Sequence, residues 1–419
     1  MPSLMQGESI PTINLTETVT ILQYLAEGGQ GEVYKVDYNG KTCALKWYKR
    51  PAPPDVFYEN LAVNVKKGAP NEHYLWPLML TAKYKGSYGY IMELRPQQYH
   101  EFGEFLLNLA RFRNYETMIN AALNIVESFR ILHSKGYSYQ DVNEGGFFIN
   151  PENGDVLICD NDNVAPFGIN LGVKGMPRYM APEVVINMNR PNTHSDRFSL
   201  AILLFRLFYI DHPLEGKYTI QFPLTDAIGA QLYGINPIFV YDPDNDRNRP
   251  HPQAQPNVIK RWNLFPIDLQ VAFTKAFTKG MKDINNRITE TEWEDILVRA
   301  RGQLIKIGGR EQFINIYAKQ SLPEGVRILK LPHYAIALSN DSKIYECQIN
   351  QYSVDFSKEA GIVKQSLSNK TILGLGNLSE TTWKVKYTGG QMMEVKPKGY
   401  AKLEQGAEID FGSVKGTIY

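Results

Sequence analysis

Four short segments, widely separated along this 419-residue chain, constrain its fold more than any other feature. One is rich in glycine, one carries a lysine among apolar residues, and two carry aspartates next to apolar residues. They are LAEGGQGEVYKV at 25–36, CALKW at 43–47, YQDVNEGGFFI at 139–149 and ICDNDN at 158–163. Glycine lets backbone N–H groups approach a ligand, lysine supplies a cation, and a carboxylate can act as a base or hold a metal. A fold that uses them together must bring distant parts of the sequence to one place.

In this order, the four segments resemble the ATP-handling motifs of eukaryotic-type protein kinases. Each motif alone is weak evidence, but the ordered set is specific. Three further segments continue the same series: YMAPE at 179–183, HSDRFSL at 194–200 and NNRIT at 285–289. The resemblance implies a bilobal α+β fold that binds ATP and Mg²⁺ and transfers a phosphoryl group to a protein hydroxyl.

The length of the chain exceeds what one hydrophobic core usually supports, so we expect two domains. On the resemblance, a protein-kinase-like domain occupies residues 1–302, with an N-lobe at about 18–94 and a C-lobe at about 95–302. Residues 303–324 lose the helical pattern and are predicted to be a linker. Short β-type runs separated by Gly, Asn, Ser and Pro predict a small all-β sandwich domain over residues 325–419.

Charge and composition argue against several classes of function. Lys and Arg total 45 against 44 Asp and Glu, and the net charge of +1 gives no general attraction for nucleic acid or an anionic membrane. Three cysteines are too few and too scattered for a disulfide framework, which favours a reducing compartment. The first residues carry no signal-peptide pattern, and the longest apolar run, at 200–208, contains Arg206. We therefore expect a cytoplasmic protein with neither a nucleic-acid nor a membrane partner.

Candidate nucleotide-binding residues follow from the resemblance. Lys46 would reach the α- and β-phosphates, and Glu59, on a helix predicted after the proline-rich segment at 51–54, is the candidate for its acidic partner. The alternative for Glu59 is an ordinary exposed helix glutamate. The glycine-rich turn would cover the phosphates, and a pocket next to it would hold the adenine ring, with Met92 as gatekeeper and Phe148 as floor. The predicted residues of these two parts are Gly28, Gly29, Gly31, Val33, Ala44, Met92, Glu93, Arg95 and Phe148.

The catalytic residues are assigned in the same way. Asp141 matches the base that orients the acceptor hydroxyl and takes its proton, and Asp160 matches the carboxylate that binds Mg²⁺. Gly146 stands where the family has the asparagine that holds a second metal ion, and it offers no oxygen. Asn143 replaces a lysine of the catalytic loop, and its amide is the candidate for a metal ligand or for a hydrogen bond to the γ-phosphate. A weak second metal site predicts a steep metal dependence or a preference for Mn²⁺.

Other departures bear on regulation and activity. Tyr139 and Gln140 replace the His-Arg pair before the base, and Met176 replaces a threonine of the substrate-binding loop. No Ser or Thr lies between Asp160 and Glu183, so we expect no activation by phosphorylation of Ser or Thr in this segment. Two functions stay open: an active protein kinase, or a pseudokinase scaffold that presents a docking surface. The retained lysine and aspartates favour the enzyme.

Two structural contacts are also expected from the motif positions. Glu183 should form a buried ion pair with Arg287, and Asp196 should hold the backbone of the catalytic loop. The ion pair holds the C-lobe together and takes no part in the chemistry.

Several longer stretches resemble bacterial kinase-like proteins that are associated with von Willebrand-type and metal-dependent phosphatase partners. They are ICDNDNVAP, PNTHSDRFSLAILLF, HPLEGK and IFVYDPDNDRNRP. This resemblance implies a bacterial Ser/Thr protein kinase that acts on a protein partner.

The C-terminal region is similar to the latter half of a forkhead-associated domain, through ILGLGNLS, TWKVKY and VKPKGYAKLEQGAEIDFG. Domains of that family read phosphothreonine with an arginine and a Ser-x-x-His-like pair. Here Leu375 stands at the arginine position, and Trp383 follows Ser379 without a histidine. We therefore expect no phosphothreonine binding.

Overall fold

The computed structural model describes residues 2–173, 175–223, 225–317, 322–369 and 371–419. A six-stranded antiparallel sheet with one helix comes first and is followed by a mostly helical lobe. Antiparallel sheets occupy the rest of the chain. The predicted fold class, a bilobal kinase-like fold followed by an all-β region, is confirmed.

The N-lobe sheet has the strand order β1-β2-β3-β4-β6-β5. Side chains of β3 alternate between buried and partly exposed positions, as expected for a sheet with one covered face. The helix packs on the sheet through residues Phe57, Leu61 and Asn64, which lie on one face at helical spacing. The elements are β1 (Ser9–Pro11), β2 (Thr18–Glu27), β3 (Gly31–Tyr38), β4 (Lys41–Tyr48), α1 (Asp55–Lys67), β5 (Met79–Leu80) and β6 (Gly89–Glu93).

The N-lobe begins earlier than the sequence predicted. Strand β1 pairs with β2, and the backbone N–H groups of Ser3 and Leu4 donate to the side chains of Glu32 and Tyr34. A three-residue edge strand that ends in proline carries too little pattern to be recognised from sequence.

The C-lobe is built around α5, which is apolar on nearly every face and fully surrounded. Asn192 caps α5 by accepting from the backbone N–H groups of His194 and Ser195, and Asn114 caps α3 in the same way through Thr117. The helices are α2 (Phe102–Leu106), α3 (Tyr115–Ser134), α4 (Pro182–Val185), α5 (Thr193–Tyr209), α6 (Asp226–Gly229), α7 (Pro256–Arg261), α8 (Ile267–Phe277), α9 (Lys279–Lys282) and α10 (Glu290–Gly302). The strands are β7 (His100–Glu101), β8 (Tyr137–Ser138), β9 (Phe147–Ile149), β10 (Val156–Ile158) and β11 (Ala165–Pro166). Among the described residues, no helix combines the length and the apolar character that a membrane crossing needs.

Part of the predicted linker at 303–324 forms regular secondary structure. It contains the hairpin of β12 (Leu304–Ile307) and β13 (Arg310–Phe313). Gly308 and Gly309 have φ of 57° and 78°, the positive values that a two-residue hairpin turn needs at both positions. Within the predicted linker, this Gly-Gly pair is the turn of a hairpin. Residues 318–321 of the predicted linker lie outside the described residues.

The C-terminal region contains two antiparallel sheets that enclose a common apolar core. One has the order β15-β14-β23-β22-β19-β20 and the other β16-β17-β18-β21. Trp383 is fully buried between them. The elements are β14 (Arg327–Lys330), β15 (Ala335–Leu338), β16 (Lys343–Tyr345), α11 (Glu346–Ile349), β17 (Glu359–Gln365), β18 (Leu373–Asn377), β19 (Trp383–Lys386), β20 (Met392–Val395), β21 (Tyr400–Lys402), β22 (Glu408–Asp410) and β23 (Lys415–Ile418).

The C-terminal sheets pack against the C-lobe through buried polar contacts. Arg301, at the end of α10, lies over the ring of Tyr345 with 3.4 Å between guanidinium carbon and ring centroid, and it donates to the carbonyl of Phe356. Glu116, at the start of α3, accepts from Lys343 at 2.9 Å and from the hydroxyl of Tyr345. Breaking this interface would therefore leave charged groups unpaired in a buried setting.

Candidate active site

The glycine-rich turn connects β2 and β3. One of its glycines is required by close backbone packing, and two have open space around them. A Cβ atom on Gly31 would lie 2.6 Å from the carbonyl oxygen of Trp47, so the strand pairing itself requires glycine there. A Cβ on Gly28 would meet nothing closer than 3.9 Å, and one on Gly29 nothing within 4 Å. Their neighbours in the protein do not require glycine, and the open space is what a bound phosphate needs for close contact with the backbone.

Lys46 lies on β4 and is surrounded by two carboxylates from the C-lobe. Its Nζ is 2.8 Å from Asp160 Oδ1 and 2.9 Å from Asp162 Oδ2. Asp162 is fully buried and also accepts a hydrogen bond from the Tyr48 hydroxyl at 2.5 Å. Burial by itself lowers the pKa of Lys46, but the charge of Asp162, followed by those of Tyr90 and Asp160, holds that pKa well above its usual range. Lys46 is therefore a fixed cation.

The predicted ion pair between Glu59 and Lys46 is wrong in this structure. Glu59 is exposed on the face of α1 that points away from the sheet. On the inner side of α1, Asn60 and Asn64 each donate a side-chain amide to the carbonyl of Val164 at 2.9 Å. Helix α1 thus contacts the segment after Asp162 through neutral amides, and the carboxylates that reach Lys46 are those of Asp160 and Asp162.

The residues predicted to surround the adenine ring lie close together. Val33, Ala44, Met92 and Phe148 belong to one apolar cluster at the junction of the lobes. The guanidinium carbon of Arg95 is 4.3 Å from the centroid of the Phe148 ring, a cation–π arrangement. Glu93 follows Met92 at the exposed end of β6, and its side chain pairs with Lys41 at 2.8 Å. Only the backbone of Glu93 is therefore free to face a ligand.

The catalytic loop is anchored as predicted. Asp196 accepts the backbone N–H of Tyr139 at 2.6 Å and that of Gln140 at 2.9 Å. His133 lies between Asp196 and Glu290, at 3.1 and 2.9 Å. Burial lowers the pKa of His133, but hydrogen bonds to the two carboxylates outweigh burial and raise it to about 9. The loop is thus held by a buried charged cluster.

Asp141 lies at the end of this anchored loop, close to the other carboxylates. Burial, and then the charge of Asp160, raise its pKa. Asn163 approaches Asp141 Oδ2 with its side-chain nitrogen at 3.4 Å. The other carboxylate oxygen, Oδ1, is buried and has no hydrogen-bond partner among the described residues. This oxygen is available to accept a proton or a hydrogen bond from a bound hydroxyl.

Asn143 caps the single 3₁₀ turn at Glu144–Gly146. Its side-chain nitrogen donates to the carbonyl of Asp141 and its side-chain oxygen accepts from Gly145, both at 3.0 Å. The structure thus gives Asn143 a role in shaping the loop. A metal role for its amide oxygen stays a prediction.

Tyr139 and Gly146, two departures from the family pattern, are in contact. A Cβ on Gly146 would lie 2.9 Å from the Tyr139 hydroxyl oxygen, closer than real Cβ atoms come to other atoms. That hydroxyl donates to the carbonyl of Cys159, the residue before Asp160. The φ of Gly146 is not in the left-handed region, so its backbone does not require glycine. The tyrosine hydroxyl therefore occupies the space that the Cβ atom of a larger residue at 146 would need.

The oxygen donors of this cleft fit a divalent cation that takes some of its ligands from the protein and the others from phosphate oxygens. Asp160 is partly exposed and has one carboxylate oxygen outside its contact with Lys46. Within the described ranges, no three His, Cys, Asp or Glu side chains are arranged to enclose a metal. A Mg²⁺ ion characteristically uses one or two carboxylates, substrate phosphates and water, so Asp160 is the residue that would hold it.

The segment after Asp160 is tied to the catalytic loop by neutral side chains. Gln140, which replaces an arginine of the family, donates to the carbonyl of Ile169 at 2.6 Å and to Ser138 at 3.0 Å. Asn170 donates to the side-chain oxygen of Gln140 at 3.0 Å. These bonds occupy the place where a phosphate would otherwise be bound by arginine.

The predicted support of the C-lobe is confirmed. Arg287 forms two parallel hydrogen bonds with Glu183, at 2.8 and 2.7 Å. Met176, where the family has threonine, is 44% exposed and lies on the turn that leads to Tyr179. The side chain at this position therefore faces solvent.

Sequence reasoning missed Asp162 and Tyr48. Asp162 stands where the family motif has glycine, so the motif gave no reason to assign it a function. The available signal was a second acidic residue two positions after the metal-binding aspartate, within a run that is otherwise apolar or amide. Tyr48 lies two residues after Lys46 on β4, so both side chains are on one face of the strand, but its bond to Asp162 follows only from the fold.

Comparison with known proteins decides the family. Residues 19–260, more than half of the chain, match the family described as protein kinase domain. The chain belongs to this family. Protein kinase YegI of Escherichia coli (strain K12) is 28% identical over 322 residues, which are 69% of this chain and 46% of that protein. This kinase-family chain therefore spans about half the length of the curated relative.

Other similar proteins carry the same family name. A probable serine/threonine-protein kinase, gdt4 of Dictyostelium discoideum, is 24% identical over 260 residues, which are 57% of this chain and 15% of that protein. Among solved structures, the kinase domain of Mycobacterium tuberculosis PknI, in a mutant form, covers 70% of this chain and 98% of its own, with a TM-score of 0.49 and 15% identity.

Proposed function

We propose that this chain is a bacterial, cytoplasmic Ser/Thr protein kinase that transfers the γ-phosphoryl group of ATP to a hydroxyl of a protein partner. The observation that carries the proposal is the meeting of Lys46, Asp141 and Asp160 in one cleft, under a turn whose Gly28 and Gly29 leave space for phosphate. When bound, Mg·ATP supplies the transferable phosphoryl group and the charge that the metal neutralises.

Each residue has a defined part in the reaction. Lys46 binds the α- and β-phosphates as a fixed cation, and Asp160 holds Mg²⁺. Asp141 orients the acceptor hydroxyl and takes its proton through Oδ1, which has no hydrogen-bond partner within the described ranges. The raised pKa of Asp141 brings it nearer to the working pH, which suits a general base.

We further propose that Asp162 replaces the helix glutamate of the family as the residue that positions Lys46. Its contacts at 2.9 and 3.1 Å are bidentate, and Tyr48 fixes the carboxylate from the other side. Because Asp162 and Asp160 belong to the same short turn, the lysine and the metal ligand are set together. Lys46 then needs no inward movement of α1 to become competent.

The test compares two acidic residues in the full chain. Asp162→Asn removes the buried charge, so we expect the Kd for Mg·ATP to rise about tenfold and turnover to fall. Glu59→Gln, the matched control on α1, should change neither. Mg·ATP binding is read by calorimetry, and transfer by incorporation of labelled phosphate into the chain or a generic protein, with Asp141→Ala as the negative control.

Two results would contradict parts of this proposal. Loss of activity in Glu59→Gln with retention in Asp162→Asn would assign the lysine partner to α1. If the wild-type chain binds Mg·ATP but transfers no phosphate at any metal concentration, the kinase assignment fails.

The second candidate is a pseudokinase scaffold. Gly146 and Met176 favour it, because one offers no ligand to a second metal ion and the other no hydroxyl to the substrate loop. Under this reading Lys46 and its two carboxylates serve as a structural ion-pair cluster, and neither Asp141→Ala nor Asp160→Asn changes any measured transfer.

The finer features of the function rest on sequence resemblance. We propose a von Willebrand-type or phosphatase protein as the partner, and a forkhead-associated-like fold for residues 325–419. The domain boundaries, 1–302 and 325–419 with a linker between them, are proposed on the same basis.

The C-terminal region should lack affinity for phosphothreonine. Leu375, at the arginine position, is fully buried, and the Ser379 hydroxyl is used within the protein by Asn377 and Trp383. No charge-assisted donor is left for a phosphate dianion at these positions.

A further inference from the structure

A second pocket, outside the nucleotide cleft, lies between the C-lobe and the β12–β13 hairpin. Its volume is about 800 Å³, within the range of ligand sites. Helix α2, the start of α3 and the β12–β13 hairpin form its walls. Phe102, Phe105 and Met118 contribute an apolar floor in which each side chain is almost fully buried.

The charges of this pocket are unbalanced. Its lining carries five cationic side chains, which are Arg111, Arg113, Arg261, Lys306 and Arg310. Its one carboxylate, Glu311, is already bound to the backbone N–H groups of Tyr115 and Glu116 at the start of α3. Among the described residues, none of the five cations forms an ion pair, whereas the arginines of the C-lobe core do. All except Arg261 are exposed.

An adjoining cavity of about 890 Å³ shows the opposite pattern. Nine carboxylates line it, and many of them have cationic partners, as in the pairs Glu116–Lys343, Asp341–Lys364 and Asp155–His73. Arg113 and Lys306 line both pockets and mark the boundary between them. Several carboxylates of the adjoining cavity are thus paired with cations, whereas the cations of the second pocket have no ion-pair partner among the described residues.

We infer that this basic pocket binds a short, carboxylate-rich peptide segment of a protein partner that carries an apolar side chain. Guanidinium groups match carboxylates in a bidentate geometry, and an aromatic floor takes up one apolar anchor. A long uniform polyanion such as RNA would run from the basic pocket into the acidic cavity. A peptide can change its charge within a few residues and avoid that repulsion.

The position of the pocket gives such binding a consequence for the kinase cleft. Two residues of its floor, Phe102 and Phe105, belong to α2. Glu101, directly before α2, lies next to Gly145 of the catalytic loop. Helix α2 thus connects the pocket with the catalytic loop that carries Asp141. Binding of a partner in the pocket would raise the local concentration of that partner at the cleft.

The experiment measures binding directly and does not depend on phosphoryl transfer. A short fluorescein-labelled peptide with a central Phe flanked by glutamates is titrated with the full chain at low and at physiological salt. We expect binding that weakens with salt, that is lost when Phe is replaced by Ala, and that is absent for the same peptide with lysines. Arg113→Ala/Arg310→Ala should raise the Kd about tenfold.

A matched variant controls for surface charge. Arg190→Ala/Lys279→Ala removes two exposed cations that lie elsewhere on the C-lobe and should leave the Kd unchanged. Equal weakening in both double variants would overturn the inference, because binding would then follow net charge and not the pocket. Absence of peptide binding at low salt would also overturn it, as would pocket-dependent binding of a short single-stranded RNA in preference to the peptide.

Discussion

The contact between Tyr139 and Gly146 predicts that these two residues cannot be changed independently. Gly146→Ala adds a Cβ at 2.9 Å from the Tyr139 hydroxyl oxygen, and overpacking of this kind costs about 1–3 kcal/mol. Tyr139→Phe leaves the buried carbonyl of Cys159 without its donor, at a cost of about 1–3 kcal/mol. In the double variant the nearest atom of the ring, Cζ, is 3.9 Å from the new Cβ, an ordinary contact.

The double variant should therefore be about as stable as Tyr139→Phe alone. The double variant then departs from the sum of the two single effects by the cost of Gly146→Ala alone, about 1–3 kcal/mol, as expected for residues in direct contact. Urea denaturation of the full chain and its three variants gives the four free energies of unfolding that the cycle needs. Effects that add to within about 0.5 kcal/mol would show that the hydroxyl does not exclude a side chain at 146.

The same contact decides how a second metal ligand can be restored. Gly146→Asn alone should lower stability and leave metal dependence unimproved, because the new side chain meets the tyrosine. Tyr139→Phe/Gly146→Asn should lower the Mg²⁺ concentration needed for half-maximal transfer, since the amide then has room. If the single variant already improves metal dependence, the steric reasoning is refuted.

Two further predictions concern stability and the C-terminal region. His133 has its pKa raised from 6.5 to about 9 by Asp196 and Glu290, so its contribution to stability is complete below about pH 6.5 and is lost as pH rises through 9. The loss is on the order of 3 kcal/mol and should vanish in His133→Gln, as urea denaturation between pH 6 and about 9.5 will determine. The full chain should bind phosphothreonine peptides no more tightly than their unphosphorylated forms, and selective binding that disappears on dephosphorylation would contradict the roles of Leu375 and Ser379.

The sequence predicted the fold and the position of the cleft because both depend on ordered motifs and apolar periodicity. Lys46, Asp141 and Asp160 each stand at a motif position, and their meeting needs only the family topology. The acidic partner of Lys46 was not predicted, because the family pattern assigns that role to a helix glutamate, whereas here the carboxylate is that of Asp162. The apolar spacing of α1 places Glu59 on the face opposite its buried residues, so the helix pattern itself argues against Glu59.

The hairpin at 304–313 and the Tyr139–Gly146 contact were missed for related reasons. Two glycines in succession suit a linker and a tight turn equally well, and the choice is made by strands that pair across the turn. The steric relation of Tyr139 to Gly146 depends on distances of a few ångströms between residues on different turns of one loop. Comparison with the motif considers Tyr139 and Gly146 as two independent substitutions. In the structure they are coupled, because the tyrosine hydroxyl occupies the space of a side chain at 146.

The segment that follows Asp160 also determines how long any activation can last. It contains no Ser or Thr, its one hydroxyl belongs to the buried Tyr179, and amides from Gln140 and Asn170 already hold it in place. Because the segment offers no accessible hydroxyl for phosphorylation, an earlier signal cannot be retained there as a covalent phosphate. An input acting on this segment must therefore be present for as long as its effect is observed.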